Sequence, residues 1–100
     1  MIRIAVCDDE KKYLDESEMF LSEYATARNT HFSVEQFENP FDFLDKLDKG
    51  EEYDVYLLDV YMPGLTGVSI ATELRRRNDE SPVIFLTSSR DHAVEAFGVG

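Results

Sequence analysis

A chain of 100 residues, 43% of them hydrophobic, is one domain at most and long enough to bury a core. With 21 acidic against 10 basic side chains and a net charge of −11, it lacks the cationic surface that grips a nucleic-acid backbone, so any action on DNA needs another domain. No apolar run approaches the roughly 18 residues of a membrane span, Asp8 and Asp9 come too early for a secretory leader, and the one cysteine, Cys7, cannot form an internal disulfide; the expected location is the cytoplasm.

Ile2 to Val6 reads as a buried strand that Asp8 and Asp9 stop. From Glu10 to about Arg28 the period becomes helical. Tyr13, Leu14, Ser17, Phe20, Leu21, Tyr24, Ala25 and Arg28 form one stripe, and the charges fall elsewhere. His31 to Phe37 alternates, through Phe32 and Val34, as a half-buried strand does. Asn39 is placed to cap a helix whose first position Pro40 occupies. Phe43, Leu44 and Leu47 are its inward residues, and Gly50 suits the left-handed position after it.

Tyr53 to Leu58 is a nearly unbroken apolar run ending at Asp59, the pattern of a central parallel strand covered on both faces. Met62-Pro63-Gly64 is a turn. Val68, Ile70, Ala71 and Leu74 mark a third helix, Pro82 opens a fourth strand over Val83 to Leu86, and Asp91 to Phe97 reads as helical. Four strands alternating with helices imply a parallel α/β sheet, with ligands bound outside the carboxyl ends of the strands.

Those ends carry the chemistry. The first strand ends in Asp8-Asp9, the third in Asp59 and the fourth in Thr87. In a parallel sheet all lie on one edge, and converging carboxylates repel. Either some are protonated with raised pKa, or a cation sits among them. A hard divalent ion that takes carboxylates and phosphate oxygens while keeping several waters is Mg²⁺. Taken singly, each acidic residue reads as a solvated loop residue; the joint placement of four such groups, Thr87 included, on three strand ends does not.

Three segments carry a resemblance. Val6-Cys7-Asp8-Asp9-Glu10 is similar to the acidic pair that opens two-component response regulator receiver domains. Leu57-Leu58-Asp59-Val60-Tyr61-Met62-Pro63-Gly64 resembles their phosphoacceptor strand and its turn, and Val83 to Ser88 resembles their fourth strand with its switch hydroxyl. The likeness runs through all 100 residues. It implies a flavodoxin-like (CheY-like) doubly wound parallel sheet in the order 2-1-3-4, with a fifth strand beyond. It also implies that Asp59 accepts a phosphoryl group from a sensor histidine kinase. Asp9 and Asp59 would then ligate Mg²⁺ directly, Asp8 through water, and the backbone carbonyl of Tyr61 would complete the set. Thr87 would bond a phosphoryl oxygen as the switch, and small Ser88 would leave room for it. Because an ordinary carboxylate is ionised at pH 7, no general base is expected. The reading is of a signalling domain that takes part in its own phosphoryl transfer, not of an enzyme. The Cys7-Asp8-Asp9-Glu10 opening, and Phe85-Leu86-Thr87 followed by His92 to Phe97, resemble the branch whose output is a LytTR DNA-binding domain.

The family also uses a lysine at the end of its fifth strand. Here every lysine precedes Asp59: Lys11, Lys12, Lys46 and Lys49. The expectation is therefore a chain cut short before the fifth strand and last helix. Such a chain should be weakly stable, or should associate as a dimer through its fourth strand or bared sheet face. Cys7 reads as a small buried residue, and His31 and His92 have no second ligand at metal spacing. Arg75-Arg76-Arg77 fits a helix C-terminus. A haloacid-dehalogenase-type phosphatase would need Asp where Tyr61 stands, and a flavodoxin would need a Ser/Thr-rich first turn where this one is acidic. The remaining alternative is a receiver-like interaction module that never takes phosphate.

Overall fold

Strand β1 (Ile2–Cys7) is buried from Ile4 onward, as a strand covered on both faces must be. The computed structural model describes residues 1–86. After β1 come α1 (Lys11–Ala27), β2 (Phe32–Phe37), α2 (Pro40–Asp48), β3 (Val55–Asp59), α3 (Gly67–Arg76) and β4 (Val83–Leu86). All pairings are parallel and the order is β2-β1-β3-β4. Every carboxyl end therefore lies on one edge of the sheet. The predicted order and alternation of elements hold. The helix read over Asp91 to Phe97 lies outside the described residues.

Side chains alternate across the sheet into two cores. Ala5, Cys7, Tyr56, Leu58 and Phe85 face α2 and α3, meeting Phe43, Ile70 and Leu74. Ile4, Val6 and Leu57 face α1, meeting Leu14 and Leu21. β3 is less simply apolar than its hydropathy implies, because Tyr53 precedes it and Tyr56 lies within it. Each buried ring brings a hydroxyl that needs a partner. The Tyr53 hydroxyl donates to Glu35 Oε1 (2.6 Å) and that of Tyr56 to Asp79 Oδ2 (2.5 Å).

The α1 stripe is only partly correct. Leu14, Leu21 and Ala25 are buried, but Phe20 is 64% and Tyr24 43% exposed. Among the described residues α1 alone covers this face, and only in part, and Phe20 and Tyr24 line an apolar groove of about 580 Å³ that reaches Ile84 and Leu86. Of the residues that mark α3 in the sequence, Ile70, Ala71 and Leu74 are buried and Val68 is exposed.

Helix ends follow local chemistry. The Asn39 side chain accepts from the Phe41 N–H (2.8 Å), with Pro40 at the first helical position. Gly50 takes the left-handed conformation after α2 (φ 92°), as expected. Asn29 and Asn78 do the same after α1 and α3. Asn39→Ala leaves that N–H unpaired and is expected to lower stability by about 1 kcal/mol. A urea midpoint that falls with an unchanged slope is the outcome that agrees; an unmoved midpoint would show the cap to be idle.

Candidate functional site

Asp8 and Asp9 follow β1, and Asp59 is the last residue of β3. The two strands pair with Cys7 opposite Leu58, so Asp8 and Asp59 come next, side by side. One carboxylate oxygen from each of Asp8, Asp9 and Asp59 lies within 4.8 Å of the others. The sheet thus brings together the three acids singled out from the sequence. Asp8 is 1% and Asp59 0% exposed, while Asp9 stands at the rim, partly open to solvent.

Their hydrogen bonds are few. Asp8 Oδ1 accepts the Glu10 N–H (2.9 Å). Asp59 Oδ1 accepts the Tyr61 N–H (3.3 Å), so the turn after β3 folds back on its own acid. Asp59 Oδ2 is buried and accepts no hydrogen bond among the described residues. A buried acceptor without a partner is destabilising unless a ligand or a proton satisfies it.

The electrostatics reflect this. Asp59 is pushed from 3.8 to about 7, first by burial and then by the charge of Asp8; the Tyr61 N–H partly offsets the rise, and Asp9 adds to it. Asp8 is also raised, mainly by burial. With no cation among the acids, this raised pKa is the first of the two outcomes that converging carboxylates allow. Composition suggests an ordinary carboxylate, but a desolvated one beside two others holds its proton to near neutrality. Hard oxygen donors, one with an unused lone pair, suit a hard divalent cation that takes part of its shell from water, so the residues present fit Mg²⁺.

Cys7 is fully buried as expected, and its thiol meets the Met62 thioether at 3.7 Å, beneath the turn after β3. Burial, with Asp8 and Asp59 nearby, pushes the thiol up to about 12, so it is not a nucleophile at neutral pH. The Tyr61 side chain is exposed. Nothing in the sequence alone indicated that the Glu10 amide would orient Asp8, because that bond depends on how the chain turns into α1. Thr87 and Ser88 lie outside the described residues, as does His92.

Comparison with known proteins gives a consistent result. Residues 4–100 match the family model described as the response regulator receiver domain. Transcriptional regulatory protein RprY of Bacteroides fragilis is 32% identical over 99% of this chain and 40% of its own length. Transcriptional regulatory protein PcoR of Escherichia coli is 35% identical over 88% of this chain and 36% of its own. The chain therefore spans about two fifths of these relatives. Among solved structures, the response regulator TrrA of Thermotoga maritima, in complex with Mg(2+)-BeF, superposes with a TM-score of 0.75 at 30% identity, covering 90% of this chain and 72% of that one.

Proposed function

This chain belongs to the response regulator receiver domain family, and from that premise we propose that Asp59 is its phosphoacceptor, charged by a histidine kinase to control transcription. The observation that carries the reading is the buried Asp59 carboxylate, with Oδ2 unpartnered among the described residues and Asp8 and Asp9 beside it. Asp9 and Asp59 would hold Mg²⁺ directly, Asp8 through water, and the Tyr61 carbonyl would complete the protein's share. When bound, the ion neutralises the carboxylates and polarises phosphoryl oxygens. That the similar regulator TrrA was solved in complex with Mg(2+)-BeF supports Mg²⁺ as the ion.

Asp59 Oδ2 supplies the attacking electron pair. An O–P bond forms, the N–P bond to the donor histidine breaks, and its electron pair stays on the imidazole. Such transfers have a loose transition state, so holding the nucleophile in line and balancing charge are the main demands. β3 meets the first demand, since it is paired on both sides with Asp59 at its end. The Thr87 hydroxyl is assigned to the phosphoryl group as the switch, and the acidic surface with no membrane-spanning helix among the described residues suits a cytoplasmic signalling domain. A LytTR-type DNA-binding output is the finer assignment, resting on the Cys7 to Glu10 and Phe85 to Phe97 segments. An interaction module that never takes phosphate would have no use for three acids held together against their repulsion.

The test is incubation of the full-length protein with acetyl phosphate, with Mg²⁺ or with a chelator, followed by mass spectrometry and peptide mapping. One phosphoryl group on Asp59, only when Mg²⁺ is present, is expected; labelling elsewhere sinks the reading. In a calorimetric titration, Asp9→Ala should weaken Mg²⁺ binding more than Asp8→Ala, because a direct ligand is lost instead of a water-bridged one. Equal losses would count against that division of roles.

A further inference from the structure

Gly67 opens α3, yet its backbone is not left-handed, since the positive-φ glycines are Gly50 and Gly64. Helix propensity argues against glycine there, because alanine loses less backbone freedom. The reason lies across the turn. A Cβ at position 67 would stand 2.2 Å from the Asp59 carbonyl oxygen, 3.0 Å from its carbonyl carbon and 3.3 Å from Leu58 Cβ. The start of α3 therefore rests directly on the peptide of the acceptor residue. The Gly67 N–H also donates to the Val60 carbonyl (3.2 Å), closing the turn whose Tyr61 N–H holds Asp59 Oδ1.

We propose that Gly67 is a positioning residue for the acceptor: its missing side chain lets α3 seat against Asp59 and set the 60–66 turn over the carboxylate. The proposal rests on the assignment of Asp59 as phosphoacceptor. β3 cannot retreat, because it is hydrogen-bonded to β1 and β4. A methyl at 67 thus displaces α3, by about 1 Å to restore ordinary contact. The turn moves with it, carrying the Tyr61 peptide away from Asp59. A misplacement of about that size can change a reaction rate by about a hundredfold.

The experiment compares wild type, Gly67→Ala and Ala71→Gly in the full-length protein. Ala71 is buried in the same helix, so Ala71→Gly weakens α3 without touching the Asp59 contact. Mg²⁺ affinity by calorimetry, thermal midpoint and initial rate of labelling by acetyl phosphate are read for each. Gly67→Ala is expected to lower Mg²⁺ affinity at least about tenfold, as changes behind metal ligands do, and to slow labelling with it. Ala71→Gly should lower the midpoint while keeping wild-type affinity. Wild-type affinity in Gly67→Ala, or affinity that falls in step with the midpoint in both variants, overturns the proposal. Should Gly67→Ala not fold, Thr66→Ala loosens the same helix start by removing the hydroxyl that accepts the Ser69 N–H (3.1 Å), with no clash. It should still weaken Mg²⁺ binding, and unchanged binding there also overturns the proposal. A wild-type protein that neither binds Mg²⁺ nor is labelled would instead remove the acceptor assignment beneath it.

Discussion

Asp59→Asn is expected to reduce labelling by acetyl phosphate to background while leaving the protein folded. The amide has nearly the shape of the carboxylate, so the close packing at the end of β3, where the side chain is 0% exposed, survives. Its carbonyl oxygen can still accept the Tyr61 N–H that Asp59 Oδ1 accepts. What it loses is chemistry, since a neutral amide oxygen is a poor nucleophile and a weaker metal ligand. Intact-mass spectrometry reads the outcome, with circular dichroism to establish folding. If the variant gained one phosphoryl mass at the wild-type rate, the acceptor would be another residue.

The same substitution should stabilise the metal-free protein at neutral and alkaline pH. Folding raises Asp59 from 3.8 to about 7, so between those values the folded protein holds a proton that the unfolded chain has released. The favourable contribution of this group is fully present below about pH 4, declines as pH rises, and is gone above about pH 7. Asp8 is raised as well and adds a decline of the same sign. In Asp59→Asn this group has no charge to bury, and the repulsion of Asp8 and Asp9 is eased. A shift of this size corresponds to a few kcal/mol, so the variant should exceed wild type by about 2–4 kcal/mol at pH 8 and by much less at pH 4.

Acids with lowered pKa, such as Glu51 beside Arg3 and Glu73 beside Arg77 and Arg76, favour folding at higher pH. The informative quantity is therefore the difference between the two proteins. Urea unfolding in chelator at pH 4 and pH 8 reads it, and a difference that does not change with pH would contradict the assigned ionisation. Mg²⁺ should then stabilise wild type, by about 2.7 kcal/mol at a hundred times its dissociation constant, and the variant much less.

Much of this was legible in the chain itself. The switch from strand to helical period, the Asn39-Pro40 start and the Gly50 stop are local chemistry, set by a few neighbouring residues. Alternation of strands with helices settles a parallel sheet, and a parallel sheet places Asp8, Asp9 and Asp59 on one edge. The tertiary structure decided what depends on which surfaces meet. Phe20 and Tyr24 match the helical stripe of α1 yet stand exposed, because periodicity reports that a face is apolar and not how much of it is covered. Nothing in the sequence singles out Gly67 until α3 is seen against the Asp59 peptide. The charge on Asp59 belongs to the same class: an aspartate in a sequence carries the acidity of its side chain, and only burial beside two other acids makes it hold a proton near pH 7.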